Sequence, residues 1–142
     1  MKNRRAARIL ALQALYELDV TRHPVGTVIA GRAEDAPLEP ELETFARTLI
    51  TGVQENRKKL DNVIQQSAPE WPLEQVAIVD RNILRIAIYE WAVLKETPVK
   101  VAINEAVEIA KDFGSESASR FINGVLGTLA AKETELFAVL SK

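Results

Sequence analysis

Apolar residues recur at steps of three and four along most of this chain. The clearest run is Val99, Ala102, Ile103, Ala106, Val107, Ile109, Ala110 and Phe113, with Lys100, Asn104, Glu105, Glu108 and Lys111 on the other side. The pattern predicts one amphipathic helix, with Thr97 as N-cap and Pro98 at the first helical position, where a missing N–H leaves no bond unmade. Gly114 falls where a left-handed residue would end that helix, and Ser115 or Ser117 can cap the next, whose apolar row is Ile122, Val125, Leu126 and Leu129. Thr97 to Leu126 therefore reads as an αα-hairpin. Its second helix runs from Ser117 through Thr128 and can continue to Leu140, because Leu136, Phe137 and Leu140 keep an apolar side. Gly124 and Gly127 lie inside it, where small residues let another helix approach.

The same periodicity predicts a first helix over Lys2 to Leu18, with Ala11, Leu12, Ala14, Leu15 and Leu18 facing the core. Residues 20 to 40 are punctuated by Pro24, Gly26, Gly31, Pro37 and Pro40 and leave room for one short helix near Val25 to Ala30. Glu41 to Gly52 predicts a helix with Leu42, Phe45, Ala46, Leu49 and Ile50 inward, stopped at Gly52 or running on through it, and Val53 to Ser67 a second segment through Leu60, Val63 and Ile64. Pro69 and Pro72 break the chain around Trp71. From Leu73 to Lys95 apolar residues cover more than half the helix circumference, so this segment must be surrounded and is the expected central post. Arg81 and Arg85, one turn apart on it, are expected to pair with carboxylates on neighbouring helices. No segment alternates with period two. The expected class is all-α, six or seven helices in a single domain spanning 1–142.

Composition narrows the function. The chain has no cysteine and one histidine, which excludes disulfides, thiolate zinc sites and cysteine nucleophiles. That histidine, His23, sits in a Pro/Gly-rich loop with no partner expected nearby, so neither a catalytic dyad nor a pair of Glu-x-x-His metal motifs can be assembled. Glu105 and Glu108 are then surface partners for Lys111 and Arg120. No enzyme, metal or cofactor is expected. The apolar run after the first arginines breaks at Gln13, with no small-residue cleavage site, and no apolar segment is long enough to span a bilayer; a cytoplasmic protein is expected.

A formal net charge of −2 gives no global attraction to nucleic acid, so the distribution of charge matters more than its sum. Lys2, Arg4, Arg5 and Arg8 all precede the first acidic residue, Glu17, and on a helix Arg4 and Arg8 stand one turn apart. Cations at a helix N-terminus oppose the macrodipole. Such a cluster either serves an anionic ligand or is a solvated, frayed terminus. Arg120 and Phe121, in the first turn of the last helix, leave a similar choice. They can hold a phosphate while the ring stacks on a base, or Phe121 can pack on Phe113 with Arg120 solvated. Arg57, Lys58 and Lys59 read as a solvated face.

The run Lys100-Val101-Ala102-Ile103-Asn104-Glu105-Ala106, then Ala110-Lys111-Asp112-Phe113-Gly114, then Arg120-Phe121-Ile122-Asn123-Gly124-Val125-Leu126 resembles the C-terminal signature of the NusB family of transcription antitermination factors. Arg4-Arg5-Ala6-Ala7-Arg8, Trp71-Pro72-Leu73, Val79-Asp80-Arg81, Ile83-Leu84-Arg85 and Tyr89-Glu90 extend the likeness over the first 19 residues and most of 70–130. The resemblance implies two packed helical subdomains. It also implies binding of single-stranded boxA RNA in ribosomal RNA transcripts, together with ribosomal protein NusE, to carry RNA polymerase through terminators.

Position by position, the resemblance implies that Lys2, Arg4, Arg5 and Arg8 hold RNA phosphates, that Arg120 and Phe121 form a second RNA contact with Ser117 beside them, and that Tyr16, Glu74 and Asp80 face NusE. The chain departs from the family pattern at Ile9, Ser117, Ala118 and Gly127. A helical module that binds only protein, and an isolated targeting domain of an RNA methyltransferase, are the competing readings; the missing catalytic cysteine argues against the second.

Overall fold

Helical periodicity without a period-two segment leaves helix-on-helix packing as the way to bury this chain's apolar faces. The computed structural model describes residues 4–142 and, among these, contains eight α-helices and no strand. They are α1 (Arg4–Val20), α2 (Val25–Asp35), α3 (Pro40–Glu55), α4 (Arg57–Ser67), α5 (Ile78–Ile88), α6 (Val99–Phe113), α7 (Ala118–Ala130) and α8 (Glu133–Leu140). One more helix appears than the six or seven expected, because Ala131 and Lys132 break the last segment into α7 and α8.

Helix α5 is the post of the structure and packs against α1, α3, α4, α6 and α7. Its side chains Ile83, Leu84, Ile86, Ala87 and Ile88 are all buried, and one continuous apolar core runs from α1 to α8. The post is shorter than Leu73 to Lys95. Leu73–Gln75 form a single 3-10 turn, Val76 is extended, and beyond Ile88 the chain widens into a π-turn, Tyr89–Val93, closed by Leu94 N–H donating to Tyr89 O at 2.8 Å. In the π-turn Glu90 and Trp91, adjacent in sequence, are both buried. Lys95 leaves it with φ 59°, the left-handed region that returns the chain toward α6.

Polar side chains set how α1 and α5 align. Arg85, 2% exposed, donates through Nε and Nη2 to the two oxygens of Asp61 on α4 at 2.7 and 3.1 Å, and through Nη1 to Asp19 of α1 at 3.1 Å. Asn82 donates to the same Asp19 at 2.9 Å. Near the other end, Arg8 of α1 reaches Glu90, so α1 and α5 run antiparallel. Arg85 thus finds the carboxylates expected of it, whereas Arg81 donates to the carbonyls of Val76 and Glu74 and pins the chain entering α5. Arg57 also leaves the solvated face expected of it, with Nη2 lying 2.7 Å from Asp19 Oδ1. His23 is not alone either: its Nδ1 lies 2.8 Å from Glu17 Oε2, on the turn between α1 and α2.

Several local expectations change. Pro98, not Thr97, is the residue before α6, and the Thr97 hydroxyl donates to Glu90 instead of capping. Gly114 is extended (φ −84°, ψ −179°), so it is not needed for left-handedness. A Cβ there would meet Ala118 Cβ at 2.7 Å, Asp80 Oδ1 at 2.8 Å and the Ala110 carbonyl at 2.9 Å, so close approach requires the glycine. Gly124 and Gly127 admit no neighbouring helix: nothing lies within 4 Å of a Cβ built at either. Gly52 does what was expected of them, for the Tyr89 ring lies directly across it.

Gly52→Ala forces the Tyr89 ring out of its seat and is expected to lower stability by roughly 1–3 kcal/mol. Gly124→Ala, in open space on a helix, is expected to be neutral or to raise stability by up to about 1 kcal/mol. Urea unfolding midpoints of the two variants check the contrast.

Candidate functional site

The arginines near the start of α1 point in different directions. Arg8 turns inward and is 5% exposed. Its Nε donates to Glu90 Oε1 and Oε2 at 3.0 and 2.8 Å, Nη2 to Glu90 Oε1 at 2.7 Å, and Nη1 to Glu105 Oε1 at 3.1 Å. Glu90 is 1% exposed and also accepts from Thr97 Oγ1 at 3.1 Å. A guanidinium so placed is unavailable to an external phosphate, which corrects the expectation at Arg8. The interior needs an opposite charge for Glu90, and α1 supplies it.

Arg5 is exposed and forms a fork on Glu105 of α6, Nε to Oε1 at 3.0 Å and Nη2 to Oε2 at 2.6 Å. Glu105 therefore pairs with α1 and not with Lys111 or Arg120, while Glu108 pairs with Lys111 at 2.9 Å as expected. The fork and the nearby Arg8 hold the Glu105 carboxyl below the usual glutamate range, and the same carboxylate raises the Arg5 guanidinium further above its ordinary value. Arg4 lies outward with Cζ 4.4 Å from the Phe45 ring centroid, a cation–π contact that leaves the guanidinium edge in solvent. Lys2 lies outside the described residues.

A second constellation forms where the α6–α7 turn meets the start of α5. An open cleft of about 1060 Å³ is lined by Trp71, Gln75, Asp80, Ser117, Arg120 and Phe121, among others. Phe121 is half-buried but does not pack on Phe113. Its ring meets Trp71 edge-on, centroids 6.2 Å apart at 69°, and Trp71 is 57% exposed. Arg120 is exposed, and among the described residues no carboxylate pairs with it. The sequence singled out Phe121 and passed over Trp71, although an aromatic in a proline-flanked break, outside any apolar helix face, is the signal that could have found it.

Asp80 holds this corner together from within. It is 4% exposed, accepts from Ser115 Oγ at 2.9 Å and faces Ser115 N–H at 3.4 Å. It lies in the first turn of α5, where a carboxylate complements the macrodipole. Burial removes Asp80 from the surface where a partner was expected to meet it; its chemistry is to fasten the turn that carries Ser117, Arg120 and Phe121. Tyr16, 42% exposed, and Glu74, in the 3-10 turn, remain at the surface. The structure therefore brings together Ser117, Arg120, Phe121 and Asp80. The arginines of α1 lie apart from them: Asp80 is in the first turn of α5 and the Arg8 partner Glu90 lies past its end, about 15 Å further on at roughly 1.5 Å per residue.

Among the described residues no group of histidines, cysteines and acids is placed to hold a metal ion, and no helix is long and apolar enough to cross a membrane. Arg8→Met strands a buried carboxylate and is expected to cost about 3–5 kcal/mol of stability, far more than Arg5→Met at the surface. Chemical denaturation measures both. The lowered pKa of Glu105 adds stability above the ordinary glutamate range, and this is lost as pH falls through the folded-state value. Wild type and Glu105→Gln are therefore expected to differ in urea midpoint at about pH 7 and to converge as pH falls below the ordinary glutamate range.

Comparison with known proteins gives one consistent relationship. The pattern described as the NusB family matches residues 5–131. A transcription antitermination protein NusB of Roseiflexus castenholzii is 48% identical over 134 residues, 93% of this chain and 94% of that protein. T. maritima NusB superposes with TM-score 0.85 at 31% identity, covering 96% of this chain and 98% of that one. A chain from a crystal structure of antitermination factors NusB and NusE with double-stranded RNA has the same fold, with TM-score 0.79 at 22% identity, 95% of this chain and 96% of that one.

Proposed function

The chain belongs to the NusB family of transcription antitermination proteins, which are not enzymes, and from that premise we propose that it is a cytoplasmic RNA-binding adaptor forming one NusB-like domain over residues 1–142. It works as a heterodimer with ribosomal protein NusE, takes boxA-type single-stranded RNA in ribosomal RNA transcripts, and helps RNA polymerase read through terminators.

The observation that carries the RNA reading is the cleft. An exposed indole and a half-buried phenyl ring meet edge-on beside a guanidinium without an acidic partner. Rings offer stacking to bases of any identity, and an unpaired arginine offers a phosphate a charge it need not take from a carboxylate. Ser117 adds a hydroxyl at the same rim. Arg4, Arg5 and Lys2 supply further phosphate contacts at the start of the chain, and Tyr16 and Glu74 offer the surface for NusE. Asp80 and Arg8 serve the site from within, by positioning.

With three to four phosphates neutralised, log affinity for a boxA-type oligonucleotide is expected to fall against log salt with a slope of about −2 to −3. Phe121→Ala and Trp71→Ala are each expected to weaken binding by about 1–3 kcal/mol while leaving the helical circular-dichroism spectrum intact. A gel shift with and without NusE separates this reading from a module that binds only protein: in the latter NusE binds, and neither the protein nor its NusE complex retards the RNA.

A further inference from the structure

We propose that Glu105 is a built-in competitor for RNA: its carboxylate occupies the Arg5 guanidinium as a phosphate would, and Arg5 joins the RNA site only by exchanging one anion for the other. The inference rests on the RNA reading above and adds the regulation of that site.

The geometry carries it in three steps. First, the Arg5–Glu105 contact is bidentate, at 3.0 and 2.6 Å, the fork arrangement by which a guanidinium also takes two phosphate oxygens. Second, Glu105 is not a loose surface acid. Its side chain is 19% exposed against 44% for Arg5, and Arg8 Nη1 holds Oε1 from behind at 3.1 Å, itself anchored on Glu90. The carboxylate is thus set in place before any ligand arrives. Third, the exchange does not leave Glu105 without a partner: when Arg5 swings out to a phosphate, Glu105 Oε1 keeps the hydrogen bond from Arg8 Nη1 at 3.1 Å, and the contact given up is the exposed one.

The neighbours strengthen the mask. Glu108 and Asp112 follow Glu105 along α6, and both also bear on Arg5. With Arg5 folded onto α6, this face presents acids to an approaching transcript. Arg120, in contrast, has no such partner among the described residues and is ready to bind. RNA therefore engages the cleft first and the first turn of α1 second.

Binding of a single-stranded boxA-type RNA oligonucleotide, followed across a salt titration in wild type, Glu105→Gln, Arg5→Gln and the double variant, tests this. Glu105→Gln is expected to tighten binding about two- to fivefold, the scale of one exposed ion pair, with the salt slope little changed because Arg5 meets the same phosphate in both proteins. The gain must vanish in the Arg5→Gln background. Glu108→Gln, which removes the same charge without freeing the fork, must give less. Equal gains from both glutamate variants, no gain from Glu105→Gln, or a gain that survives without Arg5 each overturn the mask.

A readout that needs no variant comes from the arginine side-chain N–H resonances of wild type: on saturation with the RNA the Arg5 Nε–H signal is expected to move and that of Arg8 to stay. If RNA binds and neither moves, the mask is wrong while the cleft reading stands. If wild type and all variants fail to bind the oligonucleotide with or without NusE, the RNA reading itself has failed.

Discussion

The pair of Arg8 and Glu90 is the contact on which the rest of the molecule depends. Both side chains are almost fully buried, and each charge is tolerable only because the other is there. Glu90 comes from the end of the central post, Arg8 from the first helix, and Thr97 joins them from the approach to α6. The first helix, the turn after the post and the approach to α6 are thereby indexed to one carboxylate. The same pair resolves the misplacement of arginines at the start of α1, where cations oppose the helix dipole: fixed acids in the π-turn and on α6 offset it.

From that index the two functional regions take their places. Arg8 in the core sets the rotation of α1; Arg4, one turn earlier on the same side, shares the Phe45 ring with it at the exposed end of the helix, and Arg5 turns onto Glu105. At the opposite end of α5, Asp80 fastens the turn between α6 and α7, with Gly114 small enough to let the carboxylate in. One post therefore serves two sites through two buried acids, one near each end. Neither acid needs to touch a ligand to decide where the ligand-facing residues stand.

Much of this was legible along the chain, and the failures share a cause. Periodicity located the inward faces well, as Ala102, Ala106, Ile109 and Ala110 of α6 are all buried. It misjudged Phe113, which is 40% exposed, because an apolar residue at the end of a face can overhang the core. It read Gly114 as a left-handed stop, since sequence shows that a glycine is there but not whether backbone conformation or lack of space demands it. It ran the post unbroken from Leu73 to Lys95, because the 3-10 turn and the π-turn keep apolar residues inward while changing the hydrogen-bond step. Least visible were the ion pairs. Arg8 and Glu90 lie 82 positions apart, and nothing in a local window tells a buried arginine from an exposed one. The family resemblance placed Arg8 with Arg4 and Arg5, and only the packing separates them.

The widened turn at Tyr89–Val93 carries a consequence of its own. A regular helix closes each turn with a four-residue step and fixes the angle between consecutive side chains; the five-residue step widens the turn and resets that angle. Glu90 can thus aim at α1 while Trp91, next along the chain, donates to Glu133 of α8 at 2.6 Å and meets Phe137 edge-on. The spare residue in the loop is the molecule's gearbox, coupling the N-terminal arm and the C-terminal helix to adjacent links of one strand of backbone. Removing a single position there would restore an ordinary spiral, with either the glutamate or the indole turned away from its socket.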